Sequence, residues 1–195
     1  MFHRHIKVLS AICLIILLFS GCVVTSIYPL YTENDTPVFD KELVGTWHQN
    51  DDYWMFEKDQ DKSENTPDSE SKYRLFVFDG KTTGKFQAVL FPIGNKRFLD
   101  IFPADPEEAN EWYYWHLLPS HSFYLVEIKD DELRLGYVDY ESFEDMIKEN
   151  RADIDYMEYD DRYFFTAKPE ALQAFILRCA EHNELTTEVY KRQSR

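Results

Sequence analysis

Glycine is scarce in this chain, with six in 195 residues. Neither G-x-G-x-x-G nor G-x-x-x-x-G-K-[ST] occurs, so a Gly-rich phosphate cradle is excluded. Basic residues are also few, 21 Lys and Arg against 36 Asp and Glu. Phosphate contacts need clustered cations, so the balance excludes a nucleic-acid binder. It suits a basic protein partner or plain solubility. Long hydrophobic runs are missing too. The main one, Val8 to Phe19, is twelve residues, apolar except for Ser10. At 1.5 Å per residue it reaches about 18 Å, too short for a hydrocarbon core of about 30 Å. After the basic start Arg4–Lys7 it reads as the apolar region of a secretory signal, residues 1–21.

Cysteine numbers three: Cys13 inside the signal, Cys22 just after it, and Cys179. Cys179 alone remains inside the mature chain, so no internal disulfide forms. It shares helical spacing with Leu172, Phe175 and Ile176, which predicts a small buried apolar residue, not a nucleophile. The run Leu18-Phe19-Ser20-Gly21-Cys22 resembles the lipobox of bacterial lipoproteins, with Phe19 where leucine is usual. The resemblance implies cleavage before Cys22, lipid on its sulfur, and a membrane partner held through that lipid. Val23 in place of Asp after the cysteine points, by the same resemblance, to the outer membrane facing the periplasm. Removing the signal takes Arg4 and Lys7 and leaves 19 basic against 36 acidic residues, a formal charge of −17.

Aromatics are plentiful, at 16% of the chain. Residues 22–40, with Pro29 and Pro37, read as an extended lipidated tether that docks through Tyr28, Leu30 and Tyr31. Residues 41–185 read as a single domain. In it, short runs of β character follow one another: Val44–His48, Tyr53–Glu57, Tyr73–Phe78, Lys85–Phe91, Lys96–Phe102, Trp112–Leu118, Ser122–Ile128 and Glu132–Tyr140. The stretch Lys58–Lys72 holds no hydrophobic residue and reads as a solvated loop. Short helices are predicted near 141–150, with Phe143, Met146 and Ile147 on one face, and near 168–182. Arg162–Thr166 reads as a last strand between them. Residues 186–195 read as a polar tail that frays.

These features predict a mainly β chain: an antiparallel meander closing into a barrel or half-barrel, because closure removes exposed strand edges. Gly45-Thr46-Trp47 resembles the G-x-W of lipocalins, which implies a tryptophan plugging one barrel end. The stretch from Cys22 through Ser26–Trp47, with Phe98–Pro103 and His116–Phe123, resembles a family of uncharacterised bacterial lipoproteins, a likeness that implies no activity.

No catalytic residue is assigned. His116 and His121 are five apart across a turn but lack the third ligand a zinc site needs. The acids of Asp153–Asp161 lack a calcium-loop register and read as a solvated loop. No metal and no cofactor are expected. Two readings stay open for Trp47, Trp54, Phe86, Trp112 and Trp115: a packed core, or the wall of a pocket for an apolar small molecule. The expected function is a non-catalytic binding or structural module anchored by lipid. The alternative is an acidic interaction module, such as an inhibitor of a basic cell-wall hydrolase.

Overall fold

A computed structural model describes residues 23–59, 71–104 and 117–193. Strands β2 (Gly45–Gln49), β3 (Asp52–Lys58), β4 (Lys72–Phe78), β5 (Thr83–Ile93), β6 (Lys96–Pro103), β7 (Ser122–Lys129) and β8 (Glu132–Tyr137) form an antiparallel meander. Tight turns join several of them. Asp130 and Asp131 both take positive φ (52° and 60°), as does Asn50 (53°). These are the conformations that Asn and Asp tolerate best among residues with a Cβ, and their twist suits a two-residue hairpin.

The eighth strand comes from the segment expected to fray. β11 (Thr186–Arg192) pairs with β8 from Thr186↔Tyr137 to Lys191↔Glu132, and with β2 through Lys191↔His48 and Arg192↔Trp47. The barrel is closed, and the domain extends through Arg192 rather than stopping at 185. Of the expected strand Trp112–Leu118, residues 112–116 lie outside the described residues, and Leu117 and Leu118 have no regular structure. Residues 60–70 of the polar loop also lie outside them.

Side-chain alternation makes two cores. Inside the barrel are Trp47, Trp54, Phe56, Tyr73, Leu75 and Leu90, with others. The outer wall of β5–β7 offers Phe91, Phe98 and Phe123 to a second core beneath the helices. Ala88–Phe91 is buried at every position, because both faces of β5 are covered there. Helix α1 (Tyr140–Lys148) contributes Phe143 and Met146; helix α2 (Pro169–Glu181) contributes Leu172, Phe175, Ile176 and Cys179, the stripe read from spacing.

One further correction follows. β10 (Arg162–Phe165) is a strand but not of the barrel. It sits between β9 (Tyr156–Tyr159), within the presumed acidic loop, and β1 (Thr25–Ser26), which runs parallel to it. The 22–40 tether docks through Leu30 and Tyr31, as expected. From Val23 on it is a strap along the barrel wall. Leu30 is fully buried, and Tyr31 meets the Phe91 ring edge-on at 5.8 Å. Val38 N donates to Leu90 O at 2.8 Å. Tyr28, by contrast, stays 40% exposed.

Candidate functional site

The two barrel ends differ. One is sealed. Trp47 is fully buried, its Nε1 donates to Leu43 O at 2.9 Å, and the Arg192 guanidinium lies 4.1 Å from its ring centroid. Arg192 also donates to the carbonyls of Val44 and Glu42, tying the last strand to the approach to β2. The strap crosses this end. Phe39 stacks on Tyr73 at 5.1 Å, the Tyr73 hydroxyl accepts from Asp40 N at 2.6 Å, and Arg97 pairs with the Asp40 carboxylate. Burial pushes the Tyr73 phenol up to about 12.

Toward the opposite end the inward residues become amphipathic. Trp54 contacts Tyr124 edge-on at 5.2 Å and Tyr190 at 5.8 Å. Tyr124 in turn meets Tyr137 at 5.6 Å. Glu188 enters between the phenols: Tyr137 donates to one carboxylate oxygen at 3.0 Å and Tyr190 to the other at 2.6 Å. Burial raises the Tyr124 phenol to about 12. Burial, then the neighbouring Glu188 carboxylate, raise Tyr137; for Tyr190 burial comes first and its bond to Glu188 second. These phenols therefore stay protonated donors across the physiological range. Glu188, Val77 and Phe86 are half-buried, whereas Trp47 and Leu43 at the sealed end are fully buried. The group can hold the polar head of a ligand by hydrogen bonds to a carboxylate and present aromatic faces to its body.

Trp47, Trp54 and Phe86 are thus all members of the inner core, with Trp47 as the seal, Trp54 beside the phenols and Phe86 on the wall. Trp112, Trp115 and Cys22 lie outside the described residues. Glu188 and Tyr190 escaped the sequence reading because β11 points Glu188, Tyr190 and Arg192 inward. A strand whose inward residues are polar carries no hydrophobic alternation to find.

His121 does not face a metal partner. Its Nδ1 lies 2.6 Å from Asp100 Oδ1, while Leu30 N donates to Asp100 Oδ2 at 2.7 Å. Asp100 is 2% exposed, and burial pushes its carboxyl upward. This couple satisfies a carboxylate under the strap, a structural use. His116 lies outside the described residues, among which no cluster of three metal-ligating side chains forms. Cys179 is buried, and burial raises its thiol to about 11, so it is inert as a nucleophile near neutral pH. Compared with family models, curated proteins and solved structures, the chain matches none.

Proposed function

We propose that the chain is a lipid-anchored cell-envelope lipoprotein, held through Cys22 in the outer membrane facing the periplasm. Its barrel serves as a non-catalytic binding module for an apolar small molecule with a hydroxylated head. The observation that carries this is the asymmetry of the barrel interior: sealed by Trp47 at one end, and bearing a half-buried carboxylate between phenols toward the other. Glu188 accepts one hydrogen bond on each oxygen, from Tyr137 and Tyr190, and keeps further lone pairs for a ligand's hydroxyl, while Asp100 is taken up under the strap. Both carboxylates therefore have structural employment, which supports binding over catalysis.

Glu188 narrows the ligand. Hydroxyl groups can donate to it, whereas a fatty-acid carboxylate is repelled by it and by the acidic surface. Burying 150 Å² of ligand apolar surface offers about 4 kcal/mol before the cost of association. Micromolar affinity needs about 8 kcal/mol, so a long acyl chain is required. With the chain from residue 22 on, carrying Cys22→Ser, a neutral monoacylglycerol is expected to quench tryptophan fluorescence with saturation. A fatty acid is expected to bind more weakly, above all at low salt. Linear, unsaturable quenching by both would mean that the aromatics only pack against each other.

The anchor has its own test. Cys22→Ser in the full-length protein is expected to abolish lipid labelling and release the protein into the soluble envelope fraction. Unchanged membrane association together with unchanged gel mobility would end the lipoprotein reading.

A second reading, an interaction module for a basic protein, has one observation behind it. β9 is an edge of its three-stranded sheet, and its four residues are exposed. Asp153, Asp155, Glu158, Asp160 and Asp161 lie in or beside it, and all five are exposed. Salt-sensitive binding of a basic protein, combined with linear quenching by both lipids, would favour that reading.

A further inference from the structure

The residue after Cys22 is clamped. Val23 bridges Asp139 in antiparallel register, and Val24 N donates to Val138 O at 3.0 Å. Thr25 and Ser26 then pair with Phe164 and Phe165. Ser26 exchanges both backbone hydrogen bonds with His121, each 2.8 Å. Farther along, Leu30 is held from two sides: its N–H by Asp100 at 2.7 Å and its carbonyl by Gln173 Nε2 at 3.0 Å. Cys22 is bonded directly to Val23 in the sequence. One peptide unit advances the chain by about 3.8 Å, so a lipid on Cys22 starts within about one residue's length of Val23.

The clamp lies at a defined end of the barrel. Asp139 comes two residues after Tyr137, the last residue of β8, which pairs with Thr186, the first of β11. The Asp139 carboxylate accepts from the Thr186 hydroxyl and caps α1 by accepting from Ser142 N at 2.6 Å. β11 runs from there through Glu188 to Arg192, which lies on Trp47. The anchor therefore shares the end that Glu188 is nearest, and the Trp47 seal lies at the other. Barrel strands of five to eleven residues, most of them six to eight, at about 3.3 Å per residue separate the ends by roughly 20 Å.

We infer that the lipid on Cys22 holds the barrel with its Glu188 end against the bilayer and its Trp47 end away from it, an orientation that rests on the lipoprotein reading above. The occupant of the surface beside the clamp is then a zwitterionic phospholipid bilayer, since a chain of formal charge −17 after cleavage is repelled by anionic headgroups. The exposed apolar side chains near the clamp agree. Tyr28 is 40% exposed, and its N–H is bonded to Ser26 Oγ at 3.1 Å. Leu117 and Leu118, 42% and 65% exposed, lead into His121, the partner of Ser26. A tyrosine and two leucines suit the headgroup boundary, where an apolar body and a polar tip are both accommodated. A ligand reaching the Glu188 group then comes from the membrane side.

The test uses the lipidated full-length protein inserted into preformed phosphatidylcholine vesicles that carry a headgroup quencher. A fluorophore is placed at Tyr28→Cys or Leu118→Cys beside the clamp, or at Asn95→Cys or Lys129→Cys at the far end. All four positions are exposed, and buried Cys179 does not compete for the label. Quenching several-fold stronger at 28 and 118 than at 95 and 129 is expected. Equal quenching, or stronger quenching at 95 and 129, in protein that floats with the vesicles and carries lipid mass on its N-terminal peptide, overturns the orientation and leaves the anchor standing. Protein that neither floats nor carries that mass overturns both.

Discussion

Trp47→Ala is expected to cost about 3–5 kcal/mol of stability, the range for removing a large aromatic side chain from a packed core. Three losses add up. A fully buried indole leaves a cavity at the sealed end. The Leu43 carbonyl loses its 2.9 Å donor. Arg192 loses the ring it covers at 4.1 Å, a contact worth about 0.5–1 kcal/mol when exposed and more when desolvated. A domain of this size has a net stability of about 5–15 kcal/mol, so the variant keeps a fraction of it. Trp47→Phe retains most of the buried area and forfeits the Nε1 donor, so it is expected to fall between the two. Chemical denaturation of the Cys22→Ser chain measures this directly. A midpoint for Trp47→Ala indistinguishable from the parent, as for a surface residue within about 0.5 kcal/mol, would remove the plug role.

Ending the chain at Leu185 is expected to do more. It deletes β11, and with it the ladders to β8 and β2 that close the barrel. β8 and β2 become bare edges, the kind that aggregate. Trp47 loses Arg192, Tyr137 loses Glu188, and the buried Tyr190 disappears from beside Trp54. No cooperative unfolding transition should remain, and the product should collect in the insoluble fraction. Ending the chain at Gln193 instead is the control, because it keeps the whole of β11 and the bond from Gln193 N to Thr46 O at 2.9 Å. A chain ending at Leu185 that unfolds at the parental midpoint would show that residues 186–195 are the dispensable tail that their polarity suggests.

By itself, the sequence determined the local pieces. The strands were legible because apolar residues alternate between turn residues, as at Leu133, Leu135 and Tyr137 beside Asp130-Asp131. α2 was legible because Leu172, Phe175, Ile176 and Cys179 recur at helical spacing behind Pro169. Trp47 stood out for its setting after Gly45, the one described glycine with φ near 131°. Tertiary structure decided the rest. Which strand closes the barrel is settled by hydrogen-bond partners far apart in sequence, and β11 earns its place by backbone pairing rather than by a hydrophobic pattern. β10 looks like any barrel strand from its residues, yet β1 and β9 are the neighbours that receive it. Residues 22–40 read as an extended tether, and Asp100, His121 and Gln173, each from a different part of the chain, supply the partners for its backbone from Ser26 to Leu30. Local periodicity reports only whether a residue faces a core. It carries no information about which distant backbone edge completes the hydrogen bonds, and that choice built both the closed barrel and the Glu188 group inside it.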